Sequence, residues 1–167
     1  LSGGAGADFL YGGHGKDRLH GAAGHDLLQG EKGDDILDGG LSNDRLSGGV
    51  GRDRLTGGLG HDAFVFTARS EGRDIITDFH NRAGDNDLFR IDASGFGGGL
   101  VEGRTLAASQ FRARADNVAQ DADDRFIFRT TDKTLWFDSN GNESGGRTLL
   151  ADLQTDATVT YADILLV

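Results

Sequence analysis

A nine-residue period constrains this chain more than any other feature. Read in nines from Gly3, it gives GGAGADFLY, GGHGKDRLH, GAAGHDLLQ, GEKGDDILD, GGLSNDRLS, GGVGRDRLT and GGLGHDAFV, seven contiguous units ending at Val65. The first position is Gly in every unit. The sixth is always Asp: Asp8, Asp17, Asp26, Asp35, Asp44, Asp53 and Asp62. The eighth is always apolar: Leu10, Leu19, Leu28, Leu37, Leu46, Leu55 and Phe64. Nine residues cannot bury a core alone, so units of this size must stack on copies of themselves.

Each column has a physical reason. Gly at positions one, two and four permits positive φ and close backbone approach, as tight turns require. Position eight points inward from a three-residue strand whose positions seven and nine point outward. Two units, turn–strand–turn–strand, then form one 18-residue coil of a parallel β-roll, and alternate units lie about 4.8 Å apart. That stacking superposes Asp on Asp, where bare carboxylates repel one another. A divalent cation between coils removes the repulsion, and turn carbonyls complete an all-oxygen shell. Ala22 and Glu31 stand at position two and Ser42 at position four. Each costs about 1–2 kcal/mol where the turn needs positive φ, so weaker cation sites are expected there, with an added carboxylate ligand from Glu31 as the alternative at its turn.

Composition narrows the function. Asp supplies 23 of the 27 acidic residues, a bias that a general need for solubility does not explain. A net charge of −10 suits cations and argues against nucleic acid, which requires a basic footprint. The absence of Cys excludes disulfides, thiolate metal sites and cysteine nucleophiles. No apolar run approaches the roughly 18 residues of a membrane-spanning helix. The chain lacks Met, and Leu1 and Ser2 fit positions eight and nine of a preceding unit. It is therefore expected to be a piece of a longer protein, with the array cut at its front.

The repeats resemble the calcium-binding arrays of RTX haemolysins, serralysin-type proteases, secreted lipases and alginate epimerases. The resemblance implies an all-β fold, with a parallel β-roll over residues 1–65 and a β-rich capping and secretion-signal module over residues 66–167. It also implies Ca²⁺ between coils, held by the sixth-position carboxylates and turn carbonyls. One row would place ions between Asp8 and Asp26, Asp26 and Asp44, and Asp44 and Asp62. The other would place them between Asp17 and Asp35, and between Asp35 and Asp53, five ions in all. Carbonyls would come from turn residues such as Gly4, Gly6, Gly13, Gly15, Gly24, Gly33, Gly40, Gly49 and Gly51. The implied function is that of a non-catalytic C-terminal part of a secreted protein, which folds on Ca²⁺ outside the cell and supports type I secretion. The alternative is a module binding polysaccharide or a cell surface, as in an alginate epimerase, with Trp136, Phe137 and an outward row of Arg18, Arg45 and Arg54 as contact groups.

After Val65 the period breaks. The stretch RDIITDF…GDNDLFRID resembles the segment that follows the repeats in serralysin-type proteins, where it continues and caps the roll. Asp74 and Asp78, with Asp85 and Asp87, are candidates for further cation sites, set against simple solvated loops. Thr105 is placed to open a short helix, TLAASQF. The segments RFIFRT, TLWFDSNGNES and GRTLLADL suggest a hairpin with Asn140–Gly141 at its tip. Asp138, Asn140 and Asn142 alternate like the start of an EF-hand loop. Gly stands at the fourth place and Leu149 at the twelfth, however, so a turn is expected. The end, YADILLV, resembles the C-terminal signals of type I exporters and reads equally as a last strand. No His-Glu-x-x-His or Gly-x-Ser-x-Gly motif occurs. His14, His20, His25 and His61 fall at variable repeat positions, and His80 has no evident nucleophile partner, so no active site is expected.

Overall fold

The computed structural model describes residues 1–116, 119–141 and 145–167. The repeats form strands β1 (Ser2–Ala5), β2 (Phe9–His14), β3 (Arg18–Ala23), β4 (Leu27–Lys32), β5 (Ile36–Leu41), β6 (Arg45–Val50), β7 (Arg54–Leu59) and β8 (Ala63–Phe66). Odd-numbered strands pair in parallel in one sheet and even-numbered strands in the other, the two-sheeted β-roll that the period implies. The register is 18 residues throughout the array. Leu19 lies beside Leu37 and Leu37 beside Leu55, while Leu10, Leu28, Leu46 and Phe64 align across the second sheet.

The strands are longer than the expected three residues. Each of β2 to β7 has six, running from position seven through position three of the next unit. Superposed turns bring their own backbone groups into register, so the ladder continues through them. The Gly6 N–H donates to the Ala23 carbonyl at 2.8 Å and the Gly15 N–H to the Lys32 carbonyl at 2.9 Å. Positions six, eight and one all face inward in alternation, so Asp26, Leu28 and Gly30 are buried in succession. Leu28, Leu37, Leu46 and Leu55 are completely buried between the sheets.

Neither sheet stops at Val65. The odd sheet continues through β9 (Asp74–Ile76), β16 (Arg147–Leu153), β15 (Thr134–Asp138), β14 (Phe126–Arg129) and β13 (Phe111–Arg114). The even sheet gains β12 (Leu88–Ile91) and β17 (Ile164–Leu166). At the end of the array Phe joins Leu in the interior of the even sheet. Phe89 aligns with Phe64, and Phe79 stacks on Phe89 with ring centroids 4.7 Å apart.

The second half departs from expectation in two places. The segment after Thr105 forms a single 3-10 turn, Ala108–Gln110, in place of a short helix, and Thr105 itself bridges to Leu165. The four-residue helix α1 (Ala93–Phe96) is capped instead by Asp92, which accepts from the Ser94 and Gly95 N–H groups. The aromatic segment makes two hairpins, since β15 is antiparallel to both β14 and β16. Asn140–Gly141 lies in the second connection, and Lys133 at φ 59 turns the first. Asn142 lies outside the described residues.

The completely buried Leu37 and the 62 % exposed Leu59 offer a direct contrast. Leu37→Ala should cost about 2–5 kcal/mol by denaturant unfolding of the calcium-loaded protein. Leu59→Ala should stay within about 0.5 kcal/mol.

Candidate metal centre

The sixth-position aspartates form two rows, one along each side of the roll. From the third unit onward one carboxylate oxygen ties adjacent coils together. The Asp8 N–H donates to Asp26 Oδ1 at 2.8 Å, Asp26 to Asp44 at 2.7 Å, and Asp44 to Asp62 at 2.8 Å. In the second row Asp17 donates to Asp35 at 2.8 Å and Asp35 to Asp53 at 2.7 Å. The array alone does not reveal where the rows end. Asp53 donates to Asp74 Oδ1 and Asp62 to Asp87 Oδ1, each at 3.0 Å, across coils lengthened to 21 and 25 residues. Asp74 and Asp87 thus belong to the rows. Asp78 stands apart from them, accepting the Gly57 and Gly58 N–H groups at 2.9 and 2.8 Å.

The other oxygen is the informative one. Oδ2 of Asp8, Asp17, Asp26, Asp35, Asp44, Asp53 and Asp62 is buried and has no hydrogen-bond partner among the described residues. A single orphaned buried oxygen calls for an explanation, and a periodic column of seven calls for a ligand. Carboxylate oxygens in a row, beside backbone turns, are the donor set of a hard cation such as Ca²⁺. The residues present therefore fit calcium, and when bound the ion would supply charge compensation between coils.

Glycine at position one has a different role from glycine in the turns. Positions two and four have positive φ in every unit, including Ala22 (82°), Glu31 (74°) and Ser42 (78°). Position one does so in none of the seven described units. Its reason is space. A Cβ on Gly39 would lie 2.5 Å from Asp44 Oδ2 and 2.6 Å from the Gly57 carbonyl oxygen. The missing side chain is the room in which the aspartate sits.

Burial shapes the electrostatics. It pushes Asp44 up to about 7, Asp53 and Asp62 to about 6, Asp74 to about 8 and Asp87 to about 7, with neighbouring carboxylates adding to the effect. Hydrogen bonds from backbone N–H groups oppose the shift without cancelling it.

The remaining predicted groups are dispersed. Arg18 and Arg54 lie on the odd sheet and Arg45 on the even one, so they do not form a single row. Phe137 is completely buried and cannot be a contact group. His14, His20, His25 and His61 are exposed on turns and outer faces. His80 is half-buried beside Asp85, with Nδ1 3.0 Å from Asp85 Oδ2, a proximity that sequence spacing does not reveal.

These shifts give a pH dependence with a definite sign. Raised carboxylate pKa values mean that the folded chain holds protons the unfolded chain releases. Without calcium, stability should be greatest near pH 4 and fall as pH rises through about 6–8. Far-UV circular dichroism of the calcium-free protein from about pH 4 to 8, with β signal expected to be lost as pH rises, checks it.

Residues 1–28 and 29–64 match the family model of the RTX calcium-binding nonapeptide repeat. No curated protein matches the chain. Among solved structures it is similar to the solution structure of the AlgE6R3 subunit from the Azotobacter vinelandii mannuronan C5-epimerase. Identity is 27% over 96% of this chain and 78% of that one, with a TM-score of 0.34. The family match thus spans the array of repeats, residues 1–64, and the chain is similar there to RTX calcium-binding nonapeptide repeats.

Proposed function

We propose that this chain is a calcium-dependent folding module of a larger secreted protein, with residues 1–65 as the roll and 66–167 as its cap, and no catalytic role of its own. The observation that carries the reading is the column of seven buried Oδ2 atoms without partners among the described residues. Five Ca²⁺ ions would lie between successive aspartates of the two rows, with carbonyls of the positive-φ turns completing their shells. The turns at Ala22, Glu31 and Ser42 adopt the strained φ that an L-residue disfavours, so ions using them would bind more weakly.

The energetics support a switch. Each extracellular-type site, at about ten times its Kd in millimolar calcium, contributes about 1.4 kcal/mol. Five sites give about 7 kcal/mol, within the net stability of an ordinary domain. An acidic, glycine-rich array with one Leu per unit does not offset its chain entropy without that term. The chain would remain unfolded in a calcium-poor cytosol and pass a type I exporter that reads its C-terminal end. It would fold on reaching calcium outside.

The test is a calcium titration of chelator-stripped protein, followed by far-UV circular dichroism, with Mg²⁺ as control. A cooperative coil-to-β transition specific to Ca²⁺ is expected. Asp44→Asn, which touches two of the five proposed sites, should move the midpoint to higher calcium and remove about two ions from the stoichiometry. A β spectrum that persists unchanged in chelator would overturn the reading.

A second reading, binding of an acidic polysaccharide, has one observation in its favour. Trp136 lines a cleft of about 540 Å³ together with Arg52, Arg73 and Arg147. An indole face beside guanidinium groups suits a carboxylated sugar. Retention on immobilised alginate that is lost in Trp136→Ala would support it.

A further inference from the structure

Asp87 continues one aspartate row, but its surroundings break the pattern of that row. Both of its oxygens are engaged, Oδ1 by the Asp62 N–H at 3.0 Å and Oδ2 by the His80 N–H at 2.8 Å. The second contact belongs to a small hairpin. Strands β10 (Asn81–Arg82) and β11 (Asp85–Asn86) pair antiparallel, with Arg82 opposite Asp85 and Asn81 opposite Asn86. The Asp87 N–H donates to the His80 carbonyl at 2.8 Å, which closes the next rung. By strand alternation His80, Arg82, Asp85 and Asp87 share one face.

On that face, one ligand atom each from His80, Asp85 and Asp87 lies within 4.8 Å of the other two. The carboxylates are buried, with Asp87 1 % and Asp85 7 % exposed. Among the described residues, neither His80 Nδ1 nor Asp85 Oδ1 has a hydrogen-bond partner, although both atoms are buried. His80 Nδ1 sits 3.0 Å from Asp85 Oδ2 without forming an aligned hydrogen bond. That separation is close to the edge between two ligands of one ion with bonds of about 2.0–2.1 Å. Arg82 holds Asp85 in place from outside, donating from Nε at 3.1 Å and from Nη2 at 2.6 Å to Oδ2.

The donor set differs in kind from that of the roll. Calcium takes oxygen ligands, whereas an imidazole nitrogen with two carboxylates suits zinc and its transition-metal neighbours. We infer that His80, Asp85 and Asp87 form a binding site for a divalent transition metal, with Zn²⁺ as its probe, beside the last coil of the roll. Three protein ligands leave a coordination position open to solvent or to a group from another molecule. The site depends on a folded roll, and so on the calcium reading, which is why its test is run in saturating calcium.

The 167-residue chain, loaded with Ca²⁺ at neutral pH, is titrated with Zn²⁺ by calorimetry and with Co²⁺ as an optical probe. One equivalent of Zn²⁺ is expected beyond the bound calcium. His80→Gln and Asp85→Asn should each weaken it by about tenfold or more. The calcium stoichiometry and circular dichroism of His80→Gln should match the parent protein. Failure of the calcium-loaded protein to take Zn²⁺ overturns the proposal. So does Zn²⁺ binding that ignores His80→Gln, which would assign it to the exposed histidines, or complete displacement of Zn²⁺ by calcium. Zn²⁺ held at His80 in a chain whose spectrum ignores calcium would uphold this site and overturn the calcium reading of the roll.

Discussion

Successive coils of the roll are joined at the sixth-position carboxylate. Oδ1 accepts a backbone N–H from the coil before it, and Oδ2 is left buried with no described partner. The first oxygen fixes the register of one coil on the next at 18 residues. The second leaves a negative charge in a place where burial already drives Asp44 up to about 7. Stacking and charge are therefore one problem, because the contact that aligns the coils also superposes the carboxylates. Leucine at position eight fills the space between the sheets of the array. It does nothing to relieve the electrostatic cost along the turns.

Much of this could be read in the residues. A fixed Asp and a fixed Leu two positions apart specify alternate inward positions of a strand, and the unit length specifies two sheets. Other features depend on contacts between units. Position one is Gly because Asp44 Oδ2 and the Gly57 carbonyl fill the space a Cβ on Gly39 would need. The Asp44 contact lies within the same unit, but the Gly57 contact comes from the next coil and cannot be read within one unit. Arg18, Arg45 and Arg54 share a repeat position and look like a row, but alternate units face opposite ways and separate them. Asp87 belongs to its row only because the last coil grows to 25 residues, so counting in nines misses it. His80 was legible as a histidine without a partner. The hairpin that gives it two carboxylates depends on a pairing register that neither period nor composition encodes.

The second half shows how a solenoid ends. Past the leucines, Phe64, Phe79 and Phe89 pack ring against ring in the interior, and β12 and β17 extend the even sheet. On the odd sheet, β16 pairs in parallel with β9, and the chain then reverses into antiparallel hairpins. The second half thus carries the inter-strand hydrogen bonding beyond the last repeat.

The central claim is that the orphaned Oδ2 atoms are calcium ligands, and diffraction tests it most directly. Crystals grown in calcium, with anomalous data collected at a wavelength where calcium scatters, should show ions along both aspartate rows. Each ion should lie within about 2.3–2.6 Å of an Oδ2 atom and of turn carbonyls. Anomalous peaks absent from the rows, with Oδ2 bonded only to water or to protein N–H groups, would contradict the claim and require another explanation for the buried charge.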